Sequence, residues 1–480
     1  MNETKKHPSP IVSLIPIAFL IGILVAIINA FGTDALSGGS QIALLMGTAV
    51  CTLIGMAFYG CKWKAFEEAI TNNIKEIAIA IIILLIIGAL SGTWMVSGVV
   101  PTMIYYGMKI IHPDFFLATT CIICSIVSIM TGSSWTTIAT IGVALMGIGQ
   151  AQGFSEGWIA GAIISGAYFG DKMSPLSDTT VLAASTTGTP LFTHIRYMLI
   201  TTIPSMIITL TIFTIAGLMN EVSDTQQIAE VTASLQERFT ITPWLLIVPI
   251  VTGIMIARRV PSVITLFLSA ALAGIFALIF QAPQLNEIAN EGGIFKGVMI
   301  SFFGNTSLST NSELLTELVA TRGMSGMLNT IWLIICAMCF GGAMKAAGML
   351  RSITEMFIRF VKGRISMVSS TVASGLFFNI TTADQYISIV LTGSIFKNIY
   401  NNNGYENRLL SRTIEDGITV TSVLIPWNSC GMTQSTILNT STLTYLPYCF
   451  FNFISPLMSI FVATIGYKIY RTKNKEEVAK

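Results

Sequence analysis

The chain has 480 residues, of which 53% are hydrophobic and only 10% are charged. A soluble domain carries roughly 25% charged residues, so lipid is the expected solvent for most of this surface. A net charge of +2, with no basic cluster interleaved with aromatics, gives no reason to expect a nucleic-acid partner.

The stretch Met1–Pro10 carries Lys5 and Lys6 and precedes an apolar run of about 20 residues, longer than the core of a signal peptide. It reads as a retained first span. Apolar runs of spanning length lie near 11–31, 41–60, 77–98, 197–218, 243–257, 262–280, 328–344 and 446–467. Basic residues mark the inner side. They place Lys5 and Lys6, the Lys62–Lys75 loop, the Arg258–Arg259 turn, the segment from Lys345 to Arg364 and the tail from Lys468 inside. The acidic stretch 219–242, with Arg238 as its one basic residue, fits the outside.

These assignments contain an inversion, because the first span runs outward and its counterpart at 243 runs inward. The expected fold is an all-α polytopic membrane protein of two inverted-topology repeats, about 10 crossings plus two hairpins, with both termini inside. Residues 1–10 form a cytoplasmic N-terminus, 11–218 the first repeat, 219–242 an external linker, 243–467 the second repeat and 468–480 a cytoplasmic tail. Within 345–364, Met349, Ile353, Met356 and Phe360 recur at helical spacing between charges, the pattern of a helix lying in the interface plane. Its weaker partner is about 99–113.

The run 115–150 is broken by Thr131-Gly132-Ser133-Ser134, and 365–395 by Asn379-Ile380-Thr381-Thr382. Each is too long for one crossing and short for two, so each reads as a re-entrant hairpin with a hydroxyl-rich tip. Next, Trp158–Ser185 is broken across Gly170–Thr180, and Ser411–Ser435 at Glu415-Asp416-Gly417 and Pro426-Trp427-Asn428-Ser429. Backbone groups freed at such breaks need partners, and in a transporter they become ligands for the cargo.

Ionisable residues inside these apolar stretches are Asp171, Lys172, Asp178, Asp384, Glu415 and Asp416. Each is costly in lipid and is a functional candidate by default. Hard cations prefer oxygen ligands. The candidate cation-binding set is Asp178, Asp171, Thr179, Ser133, Ser134, Thr381, Thr382, Asp384, Asp416, Asn428 and Ser429, with Asp178 and Asp384 as the carboxylates for Na⁺. Burial favours the uncharged form of a carboxyl group, so one group can hold either a proton or Na⁺. That competition gives antiport without further machinery, and Asp178 is the first choice for it. Structural roles compete: an Asp171–Lys172 ion pair, Glu415 capping a helix or binding Arg412, and Asp384 capping the second hairpin helix.

The eight cysteines, including Cys121/Cys124 and Cys336/Cys339, lie in apolar runs and read as small buried hydrophobes. His7, His112 and His194 form no metal motif. No resident cofactor is expected.

At these residues the sequence resembles the NhaC family of sodium/proton antiporters. The likeness is carried by the run Gly166–Thr180, by Leu191–Arg196, by Asp384–Leu391, and by Glu415-Asp416-Gly417 through Leu424–Gly431. It implies a bacterial inner-membrane exchanger of the ion-transporter superfamily, with inverted repeats and elevator-type motion. Val181 stands where the family pattern has Asn, and Val423 and Thr392 where it has Pro. The family also contains sodium-coupled malate and lactate exchangers and amino-acid carriers. A small organic acid or amino acid, with Lys172 assisting, is therefore the alternative cargo, and a homodimer the alternative assembly. Gly323-Met324-Ser325-Gly326 has the form of a serine-protease motif but lacks a base on its side of the membrane, apart from His112. A channel would show no counter-ion dependence.

Overall fold

The computed structural model describes residues 8–31, 38–219, 225–258, 260–290, 292–306, 308, 316 and 319–472. Lys5, Lys6, Arg259 and the basic residues after Thr472 lie outside this set. The helices in chain order are α1 (Pro10–Phe31), α2 (Gly39–Tyr59), α3 (Trp63–Glu76), α4 (Ala78–Val96), α5 (Val99–Ile110), α6 (Phe116–Thr131), α7 (Ser134–Thr137) and α8 (Val143–Ala151). They continue with α9 (Glu156–Met173), α10 (Asp178–Thr187), α11 (Leu191–Met219), α12 (Thr225–Arg238), α13 (Ile247–Ala257), α14 (Ser262–Phe280), α15 (Ala282–Ala289) and α16 (Ile294–Phe303). The last are α17 (Gly323–Ala346), α18 (Met349–Arg359), α19 (Arg364–Thr382), α20 (Gln385–Asn402), α21 (Asn407–Ile414), α22 (Ser429–Ile437), α23 (Thr442–Tyr445) and α24 (Phe450–Ile465).

Among the described residues, seven helical stretches are long and apolar enough to cross a membrane: α1, α2, α4, Pro113–Thr131, α11, α14 and α17. Two bent pairs, Thr232–Arg238 with Pro243–Ala257 and Thr442–Tyr448 with Phe450–Ile465, raise the number to nine. Large apolar side chains on these helices stand in the open, among them Ile11, Leu53, Ile207, Ile215, Ile275 and Phe461. Only hydrocarbon tolerates such a surface, since an exposed apolar face this extensive in water would aggregate. The backbone polar groups are satisfied inside each helix, as a spanning segment requires.

Where helices meet, small residues let them approach. A Cβ on Gly166 of α9 would sit 2.2 Å from the Cys121 carbonyl oxygen of α6, and one on Gly170 would sit 2.4 Å from that of Ser125. Ser128 adds a 2.6 Å bond from its Oγ to the Ala167 carbonyl across the same seam. This close packing replaces hydrophobic drive in lipid. Gly166→Val should therefore lower stability by about 1–3 kcal/mol, the usual penalty for overpacking, seen as a lower melting temperature in detergent. On the other side, Trp94 Nε1 of α4 donates to Ser269 Oγ of α14 at 3.0 Å, and Ser269 pairs with Thr252 of α13 at 2.6 Å.

The order of local features recurs along the chain. Gly98 and Gly348, both in the left-handed region, precede the amphipathic helices α5 and α18. Each is followed by a helical hairpin, a helix pair with a break, and a long apolar helix. Of the stretch 345–364 read as an amphipathic helix, Met349–Arg359 form α18, with Met349 and Ile353 buried.

Two break positions differ from the sequence expectation. Asn379–Thr382 do not interrupt a helix; they are its last turn, and the chain turns at Ala383 and Asp384. Glu415-Asp416-Gly417 do not interrupt one either. They open a π-helical turn, Glu415–Thr419, that continues α21, so the break falls at Ile425–Asn428.

Candidate functional site

The first hairpin turns at Gly132, whose φ of 68° suits a residue without a Cβ. Ser133 then caps α7, its Oγ accepting from the Thr136 N–H at 3.2 Å. This leaves Ser134 facing the neighbouring break. That break exists because Pro175 cannot continue α9 and holds Ser174 extended, at φ −84° and ψ 130°. Asp171 lies in the last turn of α9 and is buried. Its Oδ2 accepts from Ser134 N at 3.1 Å and from Ser134 Oγ at 2.7 Å. Its Oδ1 accepts from Ser177 Oγ at 2.5 Å, and Ser177 Oγ also meets Thr179 Oγ1 at 2.9 Å. One carboxylate thus ties the hairpin tip to both sides of the break.

The second hairpin repeats the arrangement with the roles exchanged. Ala383 holds φ 56°, and Asp384 caps α20 by accepting from Ile387 N at 3.0 Å, the capping role allowed for it. Its other oxygen accepts from Ser429 Oγ at 3.1 Å, across the second break. Pro426 keeps Ile425 extended, as Pro175 does Ser174. Asn428 caps α22 and donates from Nδ2 to the Asn379 carbonyl at 3.0 Å, while Trp427 Nε1 donates to the Ile380 carbonyl at 2.8 Å. Tyr386 is within electrostatic reach of Asp171, Asp178 and Asp384.

The remaining candidates separate. Asp178, the first choice for a buried carboxylate, starts α10 with its side chain exposed, because Ser177 takes the capping position and turns the next residue outward. Thr381 and Thr382 donate to the Phe377 and Phe378 carbonyls of their own helix, both at 2.9 Å. Their donor hydrogens are therefore committed. Thr179 reaches Asp171 only through Ser177. Asp416 lies in a different cluster.

In that cluster Lys172, expected beside Asp171, instead pairs with Asp416 of the second half. Asp416 Oδ1 also accepts from Thr201 at 3.1 Å and Ser455 at 3.2 Å, and Lys172 Nζ donates to Ser455 Oγ at 3.0 Å. Arg412, fully buried, has its Nε 3.8 Å from Asp416 Oδ2 and its guanidinium 4.6 Å from the centre of the Tyr197 ring. The expected Glu415–Arg412 contact is not formed. His194 Nδ1 shares a 2.8 Å hydrogen bond with Ser411 Oγ. Sequence reasoning set Ser177 and Tyr386 aside although both lie in quoted motifs. The Ser-Asp order before a new helix is a capping signal that points to Ser177.

A cavity of about 240 Å³ opens beside the first tip. It is lined by Thr131, Thr136 and Leu176 on one side and by Ile256, Ser262 and Thr265 among the α13–α14 residues on the other.

A family profile described as the Na⁺/H⁺ antiporter family matches residues 166–467, spanning Asp171, Asp178, Asp384 and Asp416. The chain belongs to the Na⁺/H⁺ antiporter family. This member is 36% identical over 464 residues to the malate-2H⁺/Na⁺-lactate antiporter of Bacillus subtilis, covering 96% of this chain and 97% of the relative. It is 36% identical to the Na⁺/H⁺ antiporter NhaC of Alkalihalophilus pseudofirmus, over 87% of this chain and 89% of the relative. It is 32% identical to the arginine/ornithine antiporter ArcD of Halobacterium salinarum, over 99% and 96% of the two chains. These relatives are transporters, and the Ser133–Ser134 tip lies outside the family match.

Proposed function

We propose that the chain exchanges Na⁺ for H⁺ across the cytoplasmic membrane of a bacterium. The observation that carries this reading is that Asp171 and Asp384 each join a hairpin tip to a helix break through oxygen-rich contacts. An oxygen-only set of this kind suits a hard cation. The carboxylates accept from Ser134, Ser177 and Ser429. A cation arriving there takes lone pairs from the same oxygens, while the hydroxyls turn their own lone pairs toward it. Asp178, exposed at the start of α10 and within electrostatic reach of Asp171, draws cations from water toward the junction.

The recurring order of amphipathic helix, hairpin, broken pair and long helix supports two repeats of opposite orientation, with both termini inside. The tip–break bonds support elevator motion, because hairpin and break move together. The test is an everted-vesicle assay of wild type and Asp178→Asn with Na⁺, Li⁺ and K⁺. Na⁺ should relieve an imposed pH gradient in wild type, with a weaker response in the variant. No response at mildly alkaline pH would end this reading.

A second reading, exchange of a small organic acid or amino acid coupled to Na⁺ or H⁺, is favoured by the cavity beside the first tip. Its hydroxyls, Thr131, Thr136, Ser262 and Thr265, are mixed with apolar side chains, as in small-molecule sites. The relatives that carry malate, lactate, arginine and ornithine support it. Uptake of those labelled compounds into proteoliposomes decides between the two, and the absence of organic flux would remove the second.

A further inference from the structure

We propose that the turn between α18 and α19, with the end of α24 beside it, is a docking surface for anionic phospholipid headgroups. On the sidedness proposed above, this surface lies at the inner interface of the membrane. The α18 helix buries Met349 and Ile353 and leaves Arg351, Glu355 and Arg359 exposed. Its one acid is already taken, since Arg351 Nε lies 3.3 Å from Glu355 Oε1. Arg359 and the next basic residue, Lys362, are exposed, and among the described residues neither forms an ion pair. The turn that presents them is fixed. Ser366 Oγ accepts from the N–H groups of Lys362 and Gly363, at 2.9 and 3.0 Å.

Arg364 carries the patch across to a second element. Its Nη2 donates to the Thr464 carbonyl at 3.0 Å, and a Cβ on Gly466 would lie 2.6 Å from its Nη1. Tyr467 and Lys468 follow directly, both exposed, with the Lys468 ammonium 5.2 Å from the centre of the Tyr467 ring. Two segments about a hundred residues apart in the chain are thus joined into one basic surface. Apolar side chains stand in it as well: Phe360 is 62% exposed and Ile365 45%. Cations beside exposed aromatic and aliphatic side chains fit the headgroup boundary. Phosphates meet the cations there, while the apolar side chains enter the acyl layer.

A general excess of inner-side charge does not account for this surface. Helix α3 packs across α17 on the same proposed side, yet its Lys64 and Lys75 are matched by Glu67, Glu68 and Glu76. Helix α5, which holds the matching place in the first half, ends with Lys109, whose Nζ bonds Tyr105 Oη at 2.5 Å. It is covered by Ile148 of α8 and by Gln236 of α12, which donates to the same Tyr105 oxygen at 3.0 Å. The apolar side chains also decide between a lipid and a free anion, because inorganic phosphate gains nothing from Phe360 and Ile365. The place matters for the hairpin. Phe357 of α18 meets Phe377 of α19 with ring centres 5.9 Å apart, so a headgroup held here fastens the base of the hairpin whose tip carries Asp384.

The experiment titrates short-chain phosphatidylglycerol into the full-length protein in a non-ionic detergent and reads the melting temperature. Phosphatidylcholine of the same chain length and inorganic phosphate are run beside it. Phosphatidylglycerol should raise the wild-type melting temperature, and the other two should not. Each cation lost near an anionic lipid surface weakens the attraction about fivefold. Arg359→Gln combined with Lys362→Gln should therefore raise the half-saturating lipid concentration about 25-fold. Lys64→Gln with Lys75→Gln, in the charge-balanced α3, should leave it unchanged. Equal stabilisation by phosphatidylcholine or by phosphate overturns the proposal. So does a wild-type response in the Arg359 and Lys362 variant, or an equal loss in the α3 variant. If the double variant does not fold, Lys362→Gln alone, outside any helix, should still show the fivefold step, and an unchanged titration overturns the proposal. The measurement involves no transport, so it stands or falls apart from the exchange reading.

Discussion

Asp171→Asn should slow Na⁺ exchange on the order of 100-fold, because the charge count of an oxygen site tunes cation affinity over orders of magnitude. The same change should leave folding nearly intact. Asparagine keeps one acceptor oxygen, which can still receive the Ser134 N–H and Oγ that reach Oδ2 at 3.1 and 2.7 Å. Its amide would face Ser177, whose hydroxyl can turn from donor to acceptor and give its hydrogen to Thr179, 2.9 Å away. The tip–break junction therefore survives while the charge disappears. ²²Na⁺ exchange in proteoliposomes, beside a melting curve of the same preparation, reads both effects. A change at Asp178 should cost less, since an exposed charge is screened by salt within about 10 Å. Equal losses in the two variants would show that Asp171 holds no special place.

Asp416→Asn should be the most damaging change to stability. It removes the counter-charge of Lys172 and Arg412 at once, all three side chains being fully buried. Breaking a buried pair by removing one partner costs about 3–5 kcal/mol, because an uncompensated charge remains. Lys172→Met should cost less, since Arg412 stays 3.8 Å from Asp416 and Thr201 and Ser455 still donate to it. The double variant Lys172→Met with Asp416→Asn should melt above Asp416→Asn alone, because it removes one of the two orphaned cations. Melting temperatures in detergent give the order directly. A double variant no better than Asp416→Asn would mean that the Lys172 charge finds another partner.

Spanning helices were legible in the sequence because lipid demands long apolar runs, and the first hairpin tip because Gly132 is both a turn residue and left-handed. The second tip was misread by a few residues for a physical reason. Asn379, Thr381 and Thr382 look like a polar interruption, but Asn379 bonds the Ile418 carbonyl and the threonines bond their own helix, so the helix runs on. The real turn uses Ala383, a residue that gives no turn signal. Glu415 to Gly417 read as a break because charge and glycine usually end helices, whereas a π turn absorbs them. Asp178 was placed inside because its neighbours are hydroxyls. Its exposure depends on the helical phase after a break, which composition does not carry. The Lys172–Asp416 pair had no local signal at all, since spacing rules stop within a few helical turns.

That separation has a consequence for biogenesis. Lys172 and Asp416 are 244 residues apart, and at roughly 5–20 residues per second the ribosome needs on the order of 12–50 s to cover that distance. Throughout that interval the nascent first half holds a lysine whose acid has not yet been made. The α6–α9 seam can close early, but docking of the Lys172 end of α9 against Ser455 of α24 and against Asp416 must wait for the later segment.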